Sequence, residues 1–208
     1  MKIGIIGSGR IGGTLADKLA AAGHEICLAN AHGPQSLEER VARMGPRVRA
    51  TTVDEAAACG QLVVVSIPLG SYRSVPVEPL AGKIVIDTDN YYPQRDGHIA
   101  ELDDDSTTST ELLQRHLPAS RVVKAFNAVR WDSLAEEGKP RGASDRLAMP
   151  LAGNDADAKR VVAGLIDEIG FDPVDVGDLA HGGRKIQPGA PVYVAHMTAT
   201  EMERRLAA

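Results

Sequence analysis

The sequence predicts a doubly wound α/β fold, in which helices cover both faces of a mostly parallel sheet and a small helical extension follows at the C-terminus. One observation is that short apolar runs alternate with helix-like patterns through most of the 208 residues. Another is that these runs are apolar throughout, which is typical of parallel strands buried on both faces. The last is a glycine-rich turn that directly follows the first apolar run.

The opening strand and the turn after it indicate a dinucleotide site. Residues 2–6 form an apolar strand, and Gly7-x-Gly9-x-x-Gly12 leads into an amphipathic helix over residues 11–22. Gly7 permits a tight turn, Gly9 lets a diphosphate approach the backbone, and Gly12 lets the helix pack close to the strand. The N-terminus of that helix would then face the phosphates. The spacing predicts a Rossmann NAD(P)-binding crossover, and a glycine turn without a ligand is the alternative.

The remaining elements continue the alternation. The most apolar run, residues 62–67, is expected at the centre of the sheet. Ser36 with Glu39, and Thr52 with Glu55, have the spacing of capping boxes that open helices. The other predicted strands cover residues 25–30, 48–51, 83–87, 121–126, 147–152 and 173–176. The other predicted helices cover residues 36–44, 52–60, 110–116 and 155–169. We expect the resulting NAD(P)-binding domain to span residues 1–180.

Two segments depart from this alternation. Residues 130–146 combine Gly and Pro with many charges, which predicts a long loop. Residues 181–208 are predicted to form the C-terminal extension. There, apolar residues at spacings of three and four predict one helix with an apolar seam, formed by Val192, Ala195, Ala199, Met202 and Leu206. The seam either docks onto the chain's own sheet or contacts a second copy in a homodimer.

Charge and composition exclude several classes of partner. Lys and Arg number 23 against 28 Asp and Glu, with no basic cluster, so we expect no nucleic-acid partner. No apolar stretch is long enough to span a bilayer, and the first residues form a core strand rather than a signal peptide. We therefore expect no membrane association and a cytoplasmic location. Cys27 and Cys59 are expected to be reduced and packed, and the histidine and carboxylate spacings predict no metal site.

The end of the second strand bears on the choice of dinucleotide. An Asp or Glu there would accept hydrogen bonds from the adenosine ribose and repel a 2′-phosphate. The chain has Asn30 and His32 in this segment and no carboxylate. This favours NADP(H) over NAD(H), and Arg10 in the glycine loop could add a permanent positive charge. The alternatives are that His32 is an exposed loop residue and that Arg10 is a solvated residue at the helix start.

Three short segments carry a resemblance to a known family. They read Ala-Asn-Ala-His-Gly-Pro at residues 29–34, Val-Val-Lys-Ala-Phe-Asn at residues 122–127 and Asp-Pro-Val-Asp-Val-Gly at residues 172–177. With the glycine loop, they make nearly the whole chain resemble the NADPH-dependent coenzyme F420 reductases, which share a fold with the amino-terminal part of pyrroline-5-carboxylate reductases. The chain departs from this family where Ala31 and His32 replace a Ser-Arg pair for the 2′-phosphate.

The resemblance implies cofactor-binding roles at four places along the chain. The glycine loop would hold the diphosphate through Gly7, Ser8, Gly9, Arg10, Ile11 and Gly12. The 2′-phosphate would lie at Asn30, Ala31 and His32. The ribose and nicotinamide would be lined by Ile67, Pro68 and Leu69. The nicotinamide and a deazaflavin would lie beside Asn127 and Ala128.

The resemblance also implies hydride transfer between the nicotinamide of NADP(H) and a small-molecule redox partner, either the deazaflavin coenzyme F420 or a flavin. Such transfer needs two flat rings held in a dry cleft rather than acid–base groups, so no catalytic residue is assigned. Lys124 with Asn127 could act as an acid with an orienting amide, but residues three apart on a strand point to opposite faces. Tyr91 or Tyr92 could stack on a ring or pack in a loop, and Trp131 could wall the cleft. Two other functions stay open: reduction of a small imine or carbonyl substrate, and NADP(H) binding without turnover in a regulatory protein.

Overall fold

The strands form one sheet. In the computed structural model, which describes residues 1–207, they are β1 (Lys2–Ile6), β2 (Glu25–Ala29), β3 (Val48–Ala50), β4 (Leu62–Val65), β5 (Ile84–Asp87), β6 (Arg121–Ala125), β7 (Ala148–Gly153) and β8 (Asp172–Asp175). Their order across the sheet is β3-β2-β1-β4-β5-β6-β7-β8, and neighbouring strands are parallel except β6 and β7. Strand β4 lies centrally, as predicted, and all of its residues are buried. The mostly parallel α/β sheet is therefore confirmed.

Helices cover both faces of this sheet. They are α1 (Arg10–Ala21), α2 (Glu38–Met44), α3 (Val53–Ala58), α4 (Pro93–Asp96), α5 (Ala100–Asp103), α6 (Ser109–His116), α7 (Trp131–Glu136), α8 (Ala156–Glu168), α9 (Gly182–Lys185) and α10 (Ala199–Ala207). Ile5 lies in a core that includes Leu15 of α1, whereas Ile6 lies in a second core that includes Ala56 of α3. Successive residues of β1 thus bury opposite faces, which makes the fold doubly wound. Among residues 1–207, no helix combines the length and apolar character needed to cross a bilayer.

One of the two predicted capping boxes is confirmed and the other is wrong. The Thr52 side chain accepts a hydrogen bond from the Glu55 N–H, and the Glu55 carboxylate accepts one from the Thr52 N–H at 2.8 Å. Ser36 instead lies inside a 3₁₀ turn, Pro34–Leu37, and its hydroxyl donates to the Gly33 carbonyl at 2.7 Å. Proline is well suited to the first turn of a helix, so this turn begins at Pro34 and α2 follows it.

The predicted long loop over residues 130–146 is wrong in its first part. Helix α7 begins at Trp131, and its Leu134 side chain is fully buried in the core shared with α1. The charged composition of the segment concealed this short helix, because only Ser133 and Leu134 turn inward. Further along, Arg146 is buried and donates to Asp167 Oδ1 at 2.6 Å and to Asp172 Oδ1 at 3.0 Å.

The predicted C-terminal helix is shorter than its apolar seam. Helix α10 begins at Ala199, so Val192 and Ala195 precede it in irregular structure. Val192 and Met202 are nevertheless buried in one cluster with Ala148 of β7. The seam therefore packs onto the chain's own sheet.

The expectation that both cysteines are reduced is wrong. Cys27 of β2 and Cys59, which follows α3, form a disulfide with their Cα atoms 6.3 Å apart. Both residues are buried in the same core, on the sheet face covered by α3. They are 32 residues apart in the chain. Spacing alone did not reveal that the β2-to-α3 connection places them side by side.

Candidate functional site

The carboxyl ends of β1, β2, β4, β5 and β6 meet at one edge of the sheet, because these strands run parallel. We call this the carboxyl edge. It is formed by the glycine loop after β1, and by residues 30–32, 66–69, 88–90 and 126–128 after the other strands. Ligands of open α/β sheets bind outside this edge. Each predicted cofactor-binding residue belongs to one of these segments.

The glycine loop is tightly packed at two positions and open at the third. Gly7 has φ +110°, and a Cβ there would lie 1.9 Å from the Ser66 carbonyl oxygen. A Cβ on Gly12 would lie 2.0 Å from the Gly7 carbonyl oxygen, so only glycine lets α1 approach this closely. Gly9 has no atom within 4 Å of the corresponding position. It faces open space at the start of α1.

The start of α1 is free to receive an anion. Gly9 is the N-cap, no side chain caps the helix, and its first turn contains no acidic residue. The first N–H groups of a helix have no partner within the helix and carry the positive end of its dipole. The open space at Gly9 and these uncapped N–H groups together fit a diphosphate.

The other residues of the loop differ in exposure. Ser8 and Ile11 are partly buried, and Ile11 packs against the core beneath α1. Arg10 is exposed, and its guanidinium lies 5.2 Å from the centre of the Trp131 ring. This cation–π contact joins the start of α1 to the start of α7. It places the sole tryptophan beside the glycine loop, a position that sequence spacing did not reveal.

Asn30 links the end of β2 to the glycine loop. Its Oδ1 accepts hydrogen bonds from the His32 N–H at 2.8 Å and the Ser36 hydroxyl at 3.1 Å. Its Nδ2 reaches the Ser8 hydroxyl at 3.4 Å. Ala31 and His32 are exposed. The position that carries an acid in NAD-binding folds therefore holds a neutral amide engaged with the loop.

The residues after β4 face in different directions. The Ile67 N–H donates to Asp89 Oδ1 at 2.8 Å, and Ile67 is partly buried. Pro68 is exposed at the carboxyl edge. Leu69 is fully buried in the core beneath the 3₁₀ turn Leu69–Ser74. Of these three residues, Ile67 and Pro68 are the ones with surface available at the edge.

A buried cluster of charged groups lies beneath this edge. Lys124 of β6 donates to Asp87 Oδ2 at 3.2 Å, to the Ser109 hydroxyl at 3.1 Å and to the Asp89 carbonyl. Asp87 also accepts from the Thr110 hydroxyl at 2.5 Å. Lys124 is 1% exposed, so its ammonium serves this cluster rather than a substrate in the cleft.

Asp89 holds its proton more tightly than an ordinary aspartate. Burial raises its pKa well above the usual value, the negative charge of Asp87 raises it further, and Lys124 acts in the opposite direction. The sequence analysis did not identify Asp87 or Asp89. A signal was available, because a lysine within an apolar strand is rarely buried without a partner.

Lys124 and Asn127 do not form an acid–amide pair. Asn127 Nδ2 donates to the Ile186 carbonyl at 2.7 Å and to Asn90 Oδ1 at 3.1 Å, and Asn90 Nδ2 donates to the Asn127 carbonyl at 2.9 Å. The two asparagines therefore join the ends of β5 and β6. Between Lys124 and Asn127 the chain turns at Phe126, a non-glycine residue at φ +62°. Such backbone strain is concentrated at functional sites.

The C-terminal extension completes this side of the carboxyl edge. The Ala128 carbonyl accepts from the Val194 N–H at 3.0 Å, and Ala128 is buried. Tyr193 is hydrogen-bonded through its hydroxyl to the Tyr92 hydroxyl. Burial and Tyr92 both raise the pKa of Tyr193. Tyr193 was missed because no local pattern connects it to residues 101 positions earlier in the chain.

The two adjacent tyrosines after β5 have different positions. The Tyr91 hydroxyl donates to Oδ1 of Asp103, the last residue of α5, at 2.6 Å. Tyr92 instead lies under the Arg95 guanidinium, 5.0 Å from its ring centre, and contacts Tyr193. Tyr91 is thus a packed loop aromatic, and Tyr92 belongs to the carboxyl edge.

Comparison with known proteins places the chain in a family. The family model described as NADP oxidoreductase, coenzyme F420-dependent, matches residues 2–91. A candidate F420-dependent NADP reductase from Arthrobacter sp. FB24 is 31% identical, with 88% of each chain covered and a TM-score of 0.72. The chain belongs to the coenzyme F420-dependent NADP oxidoreductase family. A hypothetical protein from Sinorhizobium meliloti is 33% identical, with 94% of each chain covered and a TM-score of 0.81. The resemblance stated from the sequence is therefore confirmed.

More distant relatives extend the comparison. The metalloreductase STEAP3 of Rattus norvegicus is 28% identical over 182 residues, which are 86% of this chain and 34% of that protein. The chain thus spans about a third of the length of this curated relative. Pyrroline carboxylate reductase of Plasmodium falciparum, 13% identical with a TM-score of 0.56, shares the fold over 85% of this chain and 57% of its own.

Proposed function

We propose that this member of the family binds NADP(H) at the carboxyl edge and transfers a hydride between the nicotinamide and a flat redox acceptor, either the deazaflavin coenzyme F420 or a flavin. The observation that carries the proposal is the glycine loop. Its backbone is packed against Ser66 at Gly7, open at Gly9 and followed by a helix start that no side chain caps. That combination fits a diphosphate.

The residues of the chain bind and orient rather than transfer protons. When bound, the nicotinamide supplies the hydride chemistry. The titratable groups beneath the edge, Asp87, Asp89 and Lys124, are buried and hydrogen-bonded to neighbouring groups. Hydride transfer between two rings needs proximity and orientation more than an acid–base group, so this arrangement is compatible with it.

Relatives that share this fold have different redox partners in their names. The name of the Arthrobacter relative refers to F420, whereas the name of the rat relative refers to the reduction of a metal. Aromatic surface at the carboxyl edge comes from Trp131, which is 42% exposed, and from the partly buried Tyr92. Aromatic faces suit a flat ring, which favours a deazaflavin or flavin.

A second function is favoured by one observation. The hydroxyls of Tyr92 and Tyr193 are hydrogen-bonded to each other at the carboxyl edge, beside Asn90, and a tyrosine hydroxyl can donate a proton. A reductase of a small imine or carbonyl substrate needs such a proton donor. Tyr193→Phe would abolish this activity while leaving hydride transfer to a deazaflavin nearly unchanged.

The test follows NADPH oxidation by the purified protein with coenzyme F420, FMN or small carbonyl and imine compounds, together with calorimetric titration of NADPH. Oxidation with F420 or FMN alone supports the proposal, and oxidation with imines alone supports the second function. Tight NADPH binding without turnover would support a regulatory protein instead. Absence of binding to either NADPH or NADH would overturn all three.

Gly9 offers a matched variant for this test. Gly9→Ala adds a methyl group where the protein itself leaves open space, so we expect the unfolding midpoint to stay unchanged. NADPH affinity should fall about tenfold or more, because the added carbon displaces the diphosphate from the backbone. Gly164→Ala on α8 is the control, since its added carbon also meets no atom within 4 Å but lies away from the carboxyl edge.

A further inference from the structure

Arg40 of α2 reaches the glycine loop, 32 residues away in the chain. Its guanidinium donates to the Ser8 carbonyl and lies against Gly13, where a Cβ would overlap it. The absence of a side chain on Gly13 therefore makes room for this contact. Arg40 is partly buried. Its charge thus lies between α2 and the turn that follows β1.

The surroundings of this guanidinium suit an added anion. Ser8, whose carbonyl accepts from Arg40, also has its hydroxyl near Asn30 Nδ2, and Asn30 in turn contacts Ser36. These neighbours are neutral. The acidic residue whose titration responds to Arg40 is Asp17, one turn beyond Gly13 on α1; burial raises the pKa of Asp17 and Arg40 lowers it. Asp17 makes no salt bridge with Arg40 within residues 1–207.

Arginine is suited to bind a phosphate here. A guanidinium presents five N–H donors in a planar fork and pairs with phosphate oxygens through two parallel hydrogen bonds. One donor of Arg40 is engaged with Ser8. The neighbouring loop position holds His32, whose exposed imidazole lacks the planar fork of donors that a guanidinium provides.

We propose that Arg40, rather than His32, is the residue that selects the 2′-phosphate of NADP(H) in this chain. The proposal rests on the proposed function, because it assumes that a dinucleotide binds with its adenosine ribose between the glycine loop and the end of β2. The ligand class is a phosphomonoester on the adenosine ribose. Arg40 would bind this phosphate from α2, and the hydroxyls of Ser8 and Ser36 would be its neutral neighbours.

The test compares NADPH with NADH, and 2′,5′-ADP with 5′-ADP, by calorimetry and by fluorescence of the sole tryptophan. Arg40→Met keeps most of the aliphatic stem and removes the charge. We expect it to weaken NADPH and 2′,5′-ADP about 10- to 100-fold and to leave NADH and 5′-ADP unchanged, because a charge-assisted hydrogen bond is lost. His32→Ala should change the NADPH to NADH ratio by less than about threefold, since an exposed imidazole contributes little.

Arg43→Met is the matched control on the same helix, because Arg43 is exposed and pairs with the exposed Glu39 at 3.2 Å. Arg40→Lys, which keeps a charge without the fork, provides a second variant and should retain part of the preference. An equal loss of NADPH and NADH in Arg40→Met would overturn the proposal and leave Arg40 as a support for the glycine loop. A preference abolished by His32→Ala and kept by both Arg40 variants would also overturn it. If wild-type protein binds neither dinucleotide, the proposed function itself has failed.

Discussion

The two halves of the carboxyl edge are built in different ways. On the glycine-loop side (residues 7–13 and 30–40), the ligand-facing surface is mainly backbone, open at Gly9 and uncapped at the start of α1. On the buried-charge side (residues 87–90, 109–110 and 124–128), side chains fill the space and hydrogen-bond to one another beneath the surface. One half is shaped by the absence of side chains and the other by their presence.

The two halves therefore differ in whether they contribute to ligand binding or to stability. A backbone cradle contributes little to the stability of the empty protein, because the groups that would hold a phosphate have no protein partner. Removing one member of a buried charge cluster is costly, because the remaining members have lost their hydration and depend on it. We therefore expect substitutions at the open positions of the glycine-loop side, such as Gly9, to change affinity, and substitutions on the buried-charge side to change stability.

The largest expected effect is at Lys124. Lys124→Met removes the ammonium and leaves Asp87 buried without its counter-charge, so the free energy of unfolding should fall by about 3–5 kcal/mol. Urea denaturation measures this loss. Lys2→Met, which breaks an exposed 3.7 Å pair with Glu25, is the control and should cost less than about 1 kcal/mol. Similar losses in the two variants would mean that the buried ion pair matters no more to stability than an exposed one.

The pH dependence of stability gives a second test of the buried-charge side, at Asp89. Because the pKa of Asp89 is raised by burial and by Asp87, the folded protein holds this proton more tightly than the unfolded chain. The contribution of Asp89 to the free energy of unfolding is therefore fully present below about pH 4 and falls as the pH rises through the raised pKa.

Asp89→Asn keeps an oxygen for the Ile67 N–H and removes the titration. We expect the wild type to lose stability relative to Asp89→Asn as the pH rises above about 4, as measured by urea denaturation at each pH. Asp157→Asn, at an exposed pair with Arg160, is the control. A constant difference between wild type and Asp89→Asn would mean that Asp89 is ionised in both states.

The smallest expected effect separates two helix starts with the same sequence pattern. Thr52→Ala removes a real capping box and should cost about 1 kcal/mol of unfolding free energy. Ser36→Ala removes a surface hydroxyl that caps no helix and should cost less than about 0.5 kcal/mol. Equal losses would indicate that the Ser36 contacts with Asn30 hold the end of β2 in place.

Much of the fold could be predicted because it depends on local patterns. The strand over Lys2–Ile6 was predicted with the bounds that the structure shows. The capping box of Thr52 and Glu55 was predicted from a pattern of four consecutive residues. Helix α7 was missed because two inward-facing residues make too short an apolar pattern. The apolar seam of the C-terminal extension was predicted to pack on the chain's own sheet or against a second copy, and it packs on the sheet. Its helical spacing includes residues that precede α10, so the predicted helix was too long.

The glycine loop, the eight strands along the chain and the neutral residues at the end of β2 could all be identified from the sequence, since each depends on residues close together in the chain. The tertiary structure was needed to show which distant residues meet. Arg40 lies 32 residues from Ser8, Lys124 lies 37 from Asp87, and Tyr193 lies 101 from Tyr92. These pairs are adjacent because parallel strands bring their carboxyl ends together and the extension packs back onto them, which no local spacing encodes.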